Sequence, residues 1–153
     1  MTGINLLSEL IIFSKIRRNK ECVHLLHGLD ISINAGNLMY FAPMNALLKA
    51  VSQKANIPKE KVINLVKIYV EEMTNIHIGQ AWDIYWHNRN RTDKIPTEEQ
   101  YLQMTAHKTG VLARLSARLA CEIIGLPESI QTHFGNFTEK IGVAFQIQDD
   151  ILN

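Results

Sequence analysis

Apolar residues recur along this chain at three- and four-residue intervals, with no sustained two-residue alternation of the kind a half-buried strand shows. The pattern predicts an all-α fold, an antiparallel helical bundle. A first helix is expected over about Ile4 to Lys15, followed by the basic turn Lys15-Ile-Arg-Arg-Asn-Lys20. The chain turns around Gly28, and Asp30 is placed to cap a long helix through Ala35, Leu38, Phe41, Leu47 and Leu48 to about Ser52. Pro43 lies inside it, removes an internal hydrogen bond and predicts a bend. Pro58 suits the first turn of a third helix, which carries Val62, Leu65, Val66, Tyr69, Met73 and Ile76 on towards Trp86.

The polar run from His87 to Lys94 has no apolar period and is expected to be a loop. After Pro96, Thr97-Glu-Glu-Gln100 has the form of a capping box, in which each side chain satisfies the other residue's orphan backbone N–H. A fourth helix follows through Tyr101, Met104, Leu112, Leu115, Leu119 and Ile123 and stops near Gly125-Leu-Pro127. The fifth begins near Glu128 and continues to the end, with Gly135 and Gly142 as either weak points or close-packing sites.

With 153 residues, 46% hydrophobic and 20% charged, the chain has the composition of one globular domain or part of one. A net charge of +1 argues against broad electrostatic binding of nucleic acid or acidic membrane. The apolar run from Ile4 to Phe13 is broken by Asn5, Ser8 and Glu9 and is too short to span a bilayer, so a core helix is expected and no transmembrane segment. Cys22 and Cys121 lack metal-ligand spacing, which fits two free thiols in a reducing, cytoplasmic setting.

The candidate chemistry begins in the last dozen residues, Gly142 to Asn153. On a helix Gln146, Asp149, Asp150 and Asn153 fall on one face, a polar stripe in an apolar element. Adjacent carboxylates repel each other, and hard oxygen ligands of this kind suit Mg²⁺, which commonly bridges a carboxylate to a substrate phosphate. The plain alternative is a solvated helix end. Gln80 and Asp83 share a face between Ile76, Trp82 and Trp86, where an aspartate is either ion-paired or a metal ligand. Lys108 and Thr109 offer a cation and a hydroxyl suited to phosphate, against the alternative of a snorkelling lysine. Arg17 and Arg18 offer two guanidiniums, against the alternative of a solvated basic turn.

Four stretches, Gly79-Gln-Ala-Trp-Asp-Ile-Tyr-Trp86, Pro96-Thr-Glu-Glu-Gln-Tyr101, Lys108-Thr-Gly110 and Phe145-Gln-Ile-Gln-Asp-Asp-Ile-Leu-Asn153, resemble the trans-type polyprenyl diphosphate synthases, most closely their eukaryotic geranylgeranyl-type members. Ser14-Lys-Ile-Arg-Arg18 followed by His24 resembles the segment after the family's first aspartate-rich motif. The resemblance implies an isoprenoid synthase fold, an Mg²⁺ cofactor, and condensation of isopentenyl diphosphate with an allylic diphosphate. It implies Asp149 and Asp150 as metal-binding and catalytic residues, with Asp149 the first choice as direct ligand, and Asp83 behind the metals with Gln80. Lys108, Thr109 and Gln146 would line the allylic diphosphate site, with Lys108 among the catalytic residues. Arg17 would hold the allylic diphosphate and Arg18 the isopentenyl diphosphate. A homodimer, or a hetero-oligomer with a related synthase, is the assembly the family implies.

The chain departs from the family's pattern at the positions of the first aspartate-rich motif, which fall on Ser8-Glu-Leu-Ile-Ile12 and keep one carboxylate. Asn153 stands where many members carry aspartate. The whole chain is therefore expected to be a partial synthase domain, without the first motif and the closing C-terminal helices, and weak alone because one metal motif leaves the departing diphosphate poorly neutralised. The alternative function is that of a non-catalytic subunit that binds a complete synthase.

Overall fold

The computed structural model describes residues 15–17, 19–53, 57–87 and 95–152, with Arg17 by its backbone alone. The helix expected before Lys15, the motif positions at 8–12, Arg18, the loop at 88–94 and Asn153 lie outside the described residues. The chain divides into two compact units, Met1–Asn56 and Ile57–Asn153.

In the first unit the expected basic turn is a two-residue-per-strand hairpin, β1 (Ile16–Arg17) antiparallel to β2 (Lys20–Glu21), with Ile16 opposite Glu21. Asn19 closes it at φ 58°, a left-handed conformation that asparagine tolerates better than most residues. Strands this short leave no alternation for a sequence to display, which is why the hairpin was hidden in an otherwise helical pattern. Helix α1 (Val23–His27) ends at Gly28, φ 87°, and α2 (Leu29–Gln53) begins at once. Asp30 is inside the first turn rather than at the cap, where its charge still favours the helix N-terminus. The Gly28 carbonyl instead accepts from both the backbone N–H and the hydroxyl of the fully buried Ser32, at 3.2 and 2.7 Å. The helix continues through Pro43 as one element of 25 residues.

The second unit holds the larger helices. Helix α3 (Lys59–His87) starts directly after Pro58, whose carbonyl accepts the first i to i+4 bond, from Val62 N–H at 3.3 Å, so the proline stands at the helix's N-terminal boundary. The capping box opens α4 (Glu98–Thr105), with Thr97 N–H donating to Gln100 Oε1 at 2.9 Å and Gln100 N–H to Thr97 Oγ1 at 3.3 Å. The expected fourth helix is then interrupted by a π-helical turn, Ala106–Gly110, before resuming as α5 (Val111–Ile124). Gly125, at φ 80°, ends α5 in the left-handed conformation while Leu126 N–H returns to Cys121 O at 2.9 Å. Helix α6 (Glu128–Leu152) completes the described chain.

Cross-helix pairs fix the packing directions. Arg114–Glu139, Gln131–Glu122 and Thr109–Gln146 run α5 and its π turn antiparallel to α6. Glu72–Arg118, Asn64–Glu122 and Asp83–Lys108 do the same for α3. Leu65, Ile68, Ile76, Met104, Val111, Leu115 and Cys121 are buried between them, each large side chain worth about 1.5–3 kcal/mol.

The middle of this core is ionic. Glu72 of α3 is 1% exposed and accepts from Arg114 Nη2 and Arg118 Nη1, both at 2.5 Å. Arg114 also reaches Glu139 of α6, and Arg118 reaches Glu71 at 3.0 Å. Burial pushes the Glu72 carboxyl up, but the hydrogen bonds from Arg114 and Arg118 outweigh it and hold the group below the usual carboxylate range.

Candidate functional site

The π turn carries Lys108 and Thr109, and each is engaged by a different neighbouring helix. A π turn adds one residue to a helical turn and often marks a functional site, because it re-aims the side chains it carries. Lys108 Nζ sits 2.6 Å from Asp83 Oδ2 of α3. Asp83 is 5% exposed, and its other oxygen lies 3.3 Å from His87 Nδ1. Asp83 is thus ion-paired to Lys108. On the other side, Thr109 Oγ1 donates to Gln146 Oε1 of α6 at 2.8 Å, and Gln146 Nε2 donates to Asp150 Oδ1 at 2.8 Å. Tyr101 of α4 donates its hydroxyl to Asp150 Oδ2 at 2.5 Å. Burial, and then this bond to a carboxylate, hold the Tyr101 hydroxyl above its ordinary pKa.

The second unit thus links five sequence-predicted residues in two polar chains, Asp83–Lys108 and Thr109–Gln146–Asp150, that meet at adjacent residues of one turn. Asp149 is exposed beside Asp150 near the end of α6. Gln80 is half-buried, with its Oε1 unpartnered among the described residues. Arg17 belongs to the hairpin of the first unit. Among the described residues no group of three or more His, Cys, Asp or Glu side chains gathers as a ready metal cage, so Asp83, Asp149 and Asp150 do not form one.

Tyr101 and His87 escaped the sequence reading. Tyr101 fits the apolar period of its helix, and its place eight residues before Thr109, about two helical turns along, is the available signal. Trp82 packs its ring 5.8 Å from His107 and 6.2 Å from Trp86, centroid to centroid, placing an aromatic cluster beside the π turn. A separate cavity of about 320 Å³ lies among Asn64, Lys67, Arg118, Glu122 and Gln131. Within it Asn64 and Gln131 both donate to Glu122, and it shares no residue with the Lys108 site.

A cation paired with a carboxylate of one neighbouring helix, and a hydroxyl bonded to an amide of another that in turn reaches a carboxylate, define a helical bundle with a polar site between its helices. Residues 13–153 match the family described as polyprenyl synthetase, and the chain belongs to that family. It is 36% identical over 137 residues to a geranylgeranyl pyrophosphate synthase of Eremothecium gossypii, covering 90% of this chain and 41% of that protein. It is 33% identical over 140 residues to one of Dictyostelium discoideum, covering 92% of this chain and 41% of that protein. The crystal structure of a geranylgeranyl pyrophosphate synthetase from Pyrococcus horikoshii superimposes with a TM-score of 0.81 at 28% identity, over 98% of this chain and 43% of that one. The chain therefore spans about two fifths of the length of such relatives. The all-α isoprenoid synthase architecture expected from the sequence is the one these structures share. No helix among the described residues is long and apolar enough to cross a membrane.

Proposed function

We propose that this chain is the diphosphate-holding part of a prenyltransferase that joins isopentenyl diphosphate to an allylic diphosphate, as in geranylgeranyl diphosphate synthesis. The observation that carries the reading is the π turn, which sets Lys108 against the Asp83 carboxylate of α3 and Thr109 against the Gln146 amide of α6, itself bonded to Asp150. Lys108 supplies a mobile cation for the allylic diphosphate oxygens, held in place by Asp83 until substrate competes for it. Thr109 and Gln146 line the same diphosphate site; in the first unit, taken by itself, Arg17 is proposed to contact an allylic diphosphate and Arg18 an isopentenyl diphosphate.

Asp149 and Asp150 would hold a divalent cation, Mg²⁺, through hard carboxylate oxygens. Both are exposed acids near the end of α6, and this ion takes only one or two carboxylates when phosphates and water complete its shell. When bound, it neutralises charge on the departing diphosphate. In the reaction the allylic C–O bond breaks with its electron pair leaving on the diphosphate. The isopentenyl double bond supplies the pair for the new C–C bond, and one proton is lost. Tyr101 and Gln146 hold the Asp150 carboxylate in a fixed orientation for this role. The buried, unpaired Cys22 and Cys121 favour a reducing cytosol as the working compartment, and an oligomer with itself or a related synthase is the proposed assembly.

The test is calorimetric titration of the chain with inorganic pyrophosphate, with and without Mg²⁺, alongside incubation with radiolabelled isopentenyl diphosphate and farnesyl diphosphate. We expect Mg²⁺-dependent binding that Asp149→Ala abolishes, and label in a longer, apolar product after phosphatase treatment. Affinity indifferent to Mg²⁺ and to Asp149→Ala would refute the metal role, and absence of binding would refute the site.

A further inference from the structure

At the π turn, glycines let helices approach main chain to main chain. A Cβ added to Gly79 of α3 would stand 2.5 Å from Lys108 N and 2.6 Å from His107 C. From the opposite side, a Cβ on Gly142 of α6 would stand 2.8 Å from Gly110 Cα and 3.4 Å from Thr109 O. A Cβ on Gly110 would meet Glu139 O of α6 at 2.9 Å. Real Cβ atoms essentially never come within 3.0 Å of a neighbour, and the atoms here are backbone, which cannot rotate aside as a side chain can. The turn is therefore gripped from two sides by main chain.

The spacing on the gripping helices repeats. Asp83, the partner of Lys108, lies four residues after Gly79, and Gln146, the partner of Thr109, lies four residues after Gly142. Residues four apart are neighbours on one helix face. Each glycine contact thus stands one helical turn from the polar contact made by the same helix. A π turn contains one residue more than the helix around it, and that excess can slide along the helix unless the surroundings fix it.

We propose that Gly79 and Gly142 are positioning residues that index the π turn, setting Lys108 in register with Asp83 and Thr109 in register with Gln146. The purpose of the indexing rests on the diphosphate reading above, whereas the indexing itself does not. Gly135 provides the contrast on α6, because its Cβ would meet side-chain atoms and no backbone, Arg114 Cγ at 3.2 Å and Arg118 Cγ at 3.3 Å. Gly135→Ala therefore carries the same gain in helix propensity as Gly142→Ala without a backbone clash.

The deciding experiment is a stability cycle on the whole chain that needs no ligand. Thr109→Val is introduced into the wild type, Gly135→Ala and Gly142→Ala, and the urea midpoint of each is measured. The expected result is a lowered midpoint in the first two backgrounds and less than half that shift in Gly142→Ala, where the Thr109–Gln146 bond is already lost. An equal shift in all three backgrounds overturns the proposal. Should Gly142→Ala not fold, the same criterion applies to Lys108→Met in Gly79→Ala. Failure of both alanine variants to fold while Gly135→Ala folds assigns the glycines to assembly alone and overturns the proposal. Pyrophosphate with Mg²⁺ then tests the purpose, since losing one charge-assisted hydrogen bond to an anion lowers affinity about tenfold or more. Such a loss in Gly142→Ala but not Gly135→Ala supports it, and wild-type affinity in Gly142→Ala overturns it. A wild type that binds no pyrophosphate sinks the diphosphate reading and leaves the cycle to judge the indexing.

Discussion

Lys108 and Asp83 are coupled by burial as much as by charge. Asp83 is almost wholly out of water, and its nearest cation is the Lys108 ammonium at 2.6 Å. Removing one member of such a pair strands the other, and the uncompensated charge costs more than the pair itself contributes. Lys108→Met should therefore lower stability by about 3 kcal/mol, while adding Asp83→Asn to it should recover most of the loss. Urea denaturation of the single and double variants checks this, and equal stability of the two would mean that water reaches Asp83. Both residues could be singled out from the sequence because charge in an apolar helical stretch is costly. That they pair with each other could not, because 25 residues separate them.

The elements are held in register by charge where a bundle would ordinarily use hydrocarbon. Glu72 joins α3 to α5 through Arg114 and Arg118, and Arg114 carries the link to Glu139 of α6. Because the folded Glu72 carboxyl titrates below its ordinary value, its contribution is fully present above the unfolded-state pKa and is lost as pH falls through the lowered folded value. Glu72→Gln should thus cost about 3 kcal/mol at neutral pH and flatten the fall in stability on acidification. The check is the urea midpoint of wild type and variant between about pH 7 and pH 3. Parallel curves would mean that Glu72 titrates alike folded and unfolded. The sequence reading passed over this residue, since a glutamate among polar neighbours looks solvated until three helices close around it.

The second unit leaves a stripe of Ile130, Phe134, Phe137, Ile141 and Phe145 along α6, from 40% to 68% exposed. Contiguous apolar surface of this kind binds apolar probes and promotes association. The chain should enhance the fluorescence of an anilinonaphthalene dye, and Phe134→Ser with Phe137→Ser should reduce that signal while leaving the far-ultraviolet helix signal unchanged. Equal dye binding by the variant would place the accessible apolar surface elsewhere. The order of the long helices, the Thr97 capping box and the left-handed stop at Gly125 were all legible in the sequence, because each depends on contacts within a few residues. Lys108, Thr109, Gln146 and the Asp149–Asp150 pair stood out in the sequence as candidates, since polar side chains interrupt an apolar period at a cost that calls for a reason. The hairpin at Ile16–Glu21 and the π turn at Ala106–Gly110 were not legible. A two-residue strand has no period, and a π turn has nearly the composition of the helix it interrupts. Only the tertiary structure decided that Asp83 faces Lys108, that Tyr101 holds Asp150, and that Gly79 and Gly142 touch the π turn. Those facts depend on which backbones can approach within van der Waals distance, and no local preference along the chain records that.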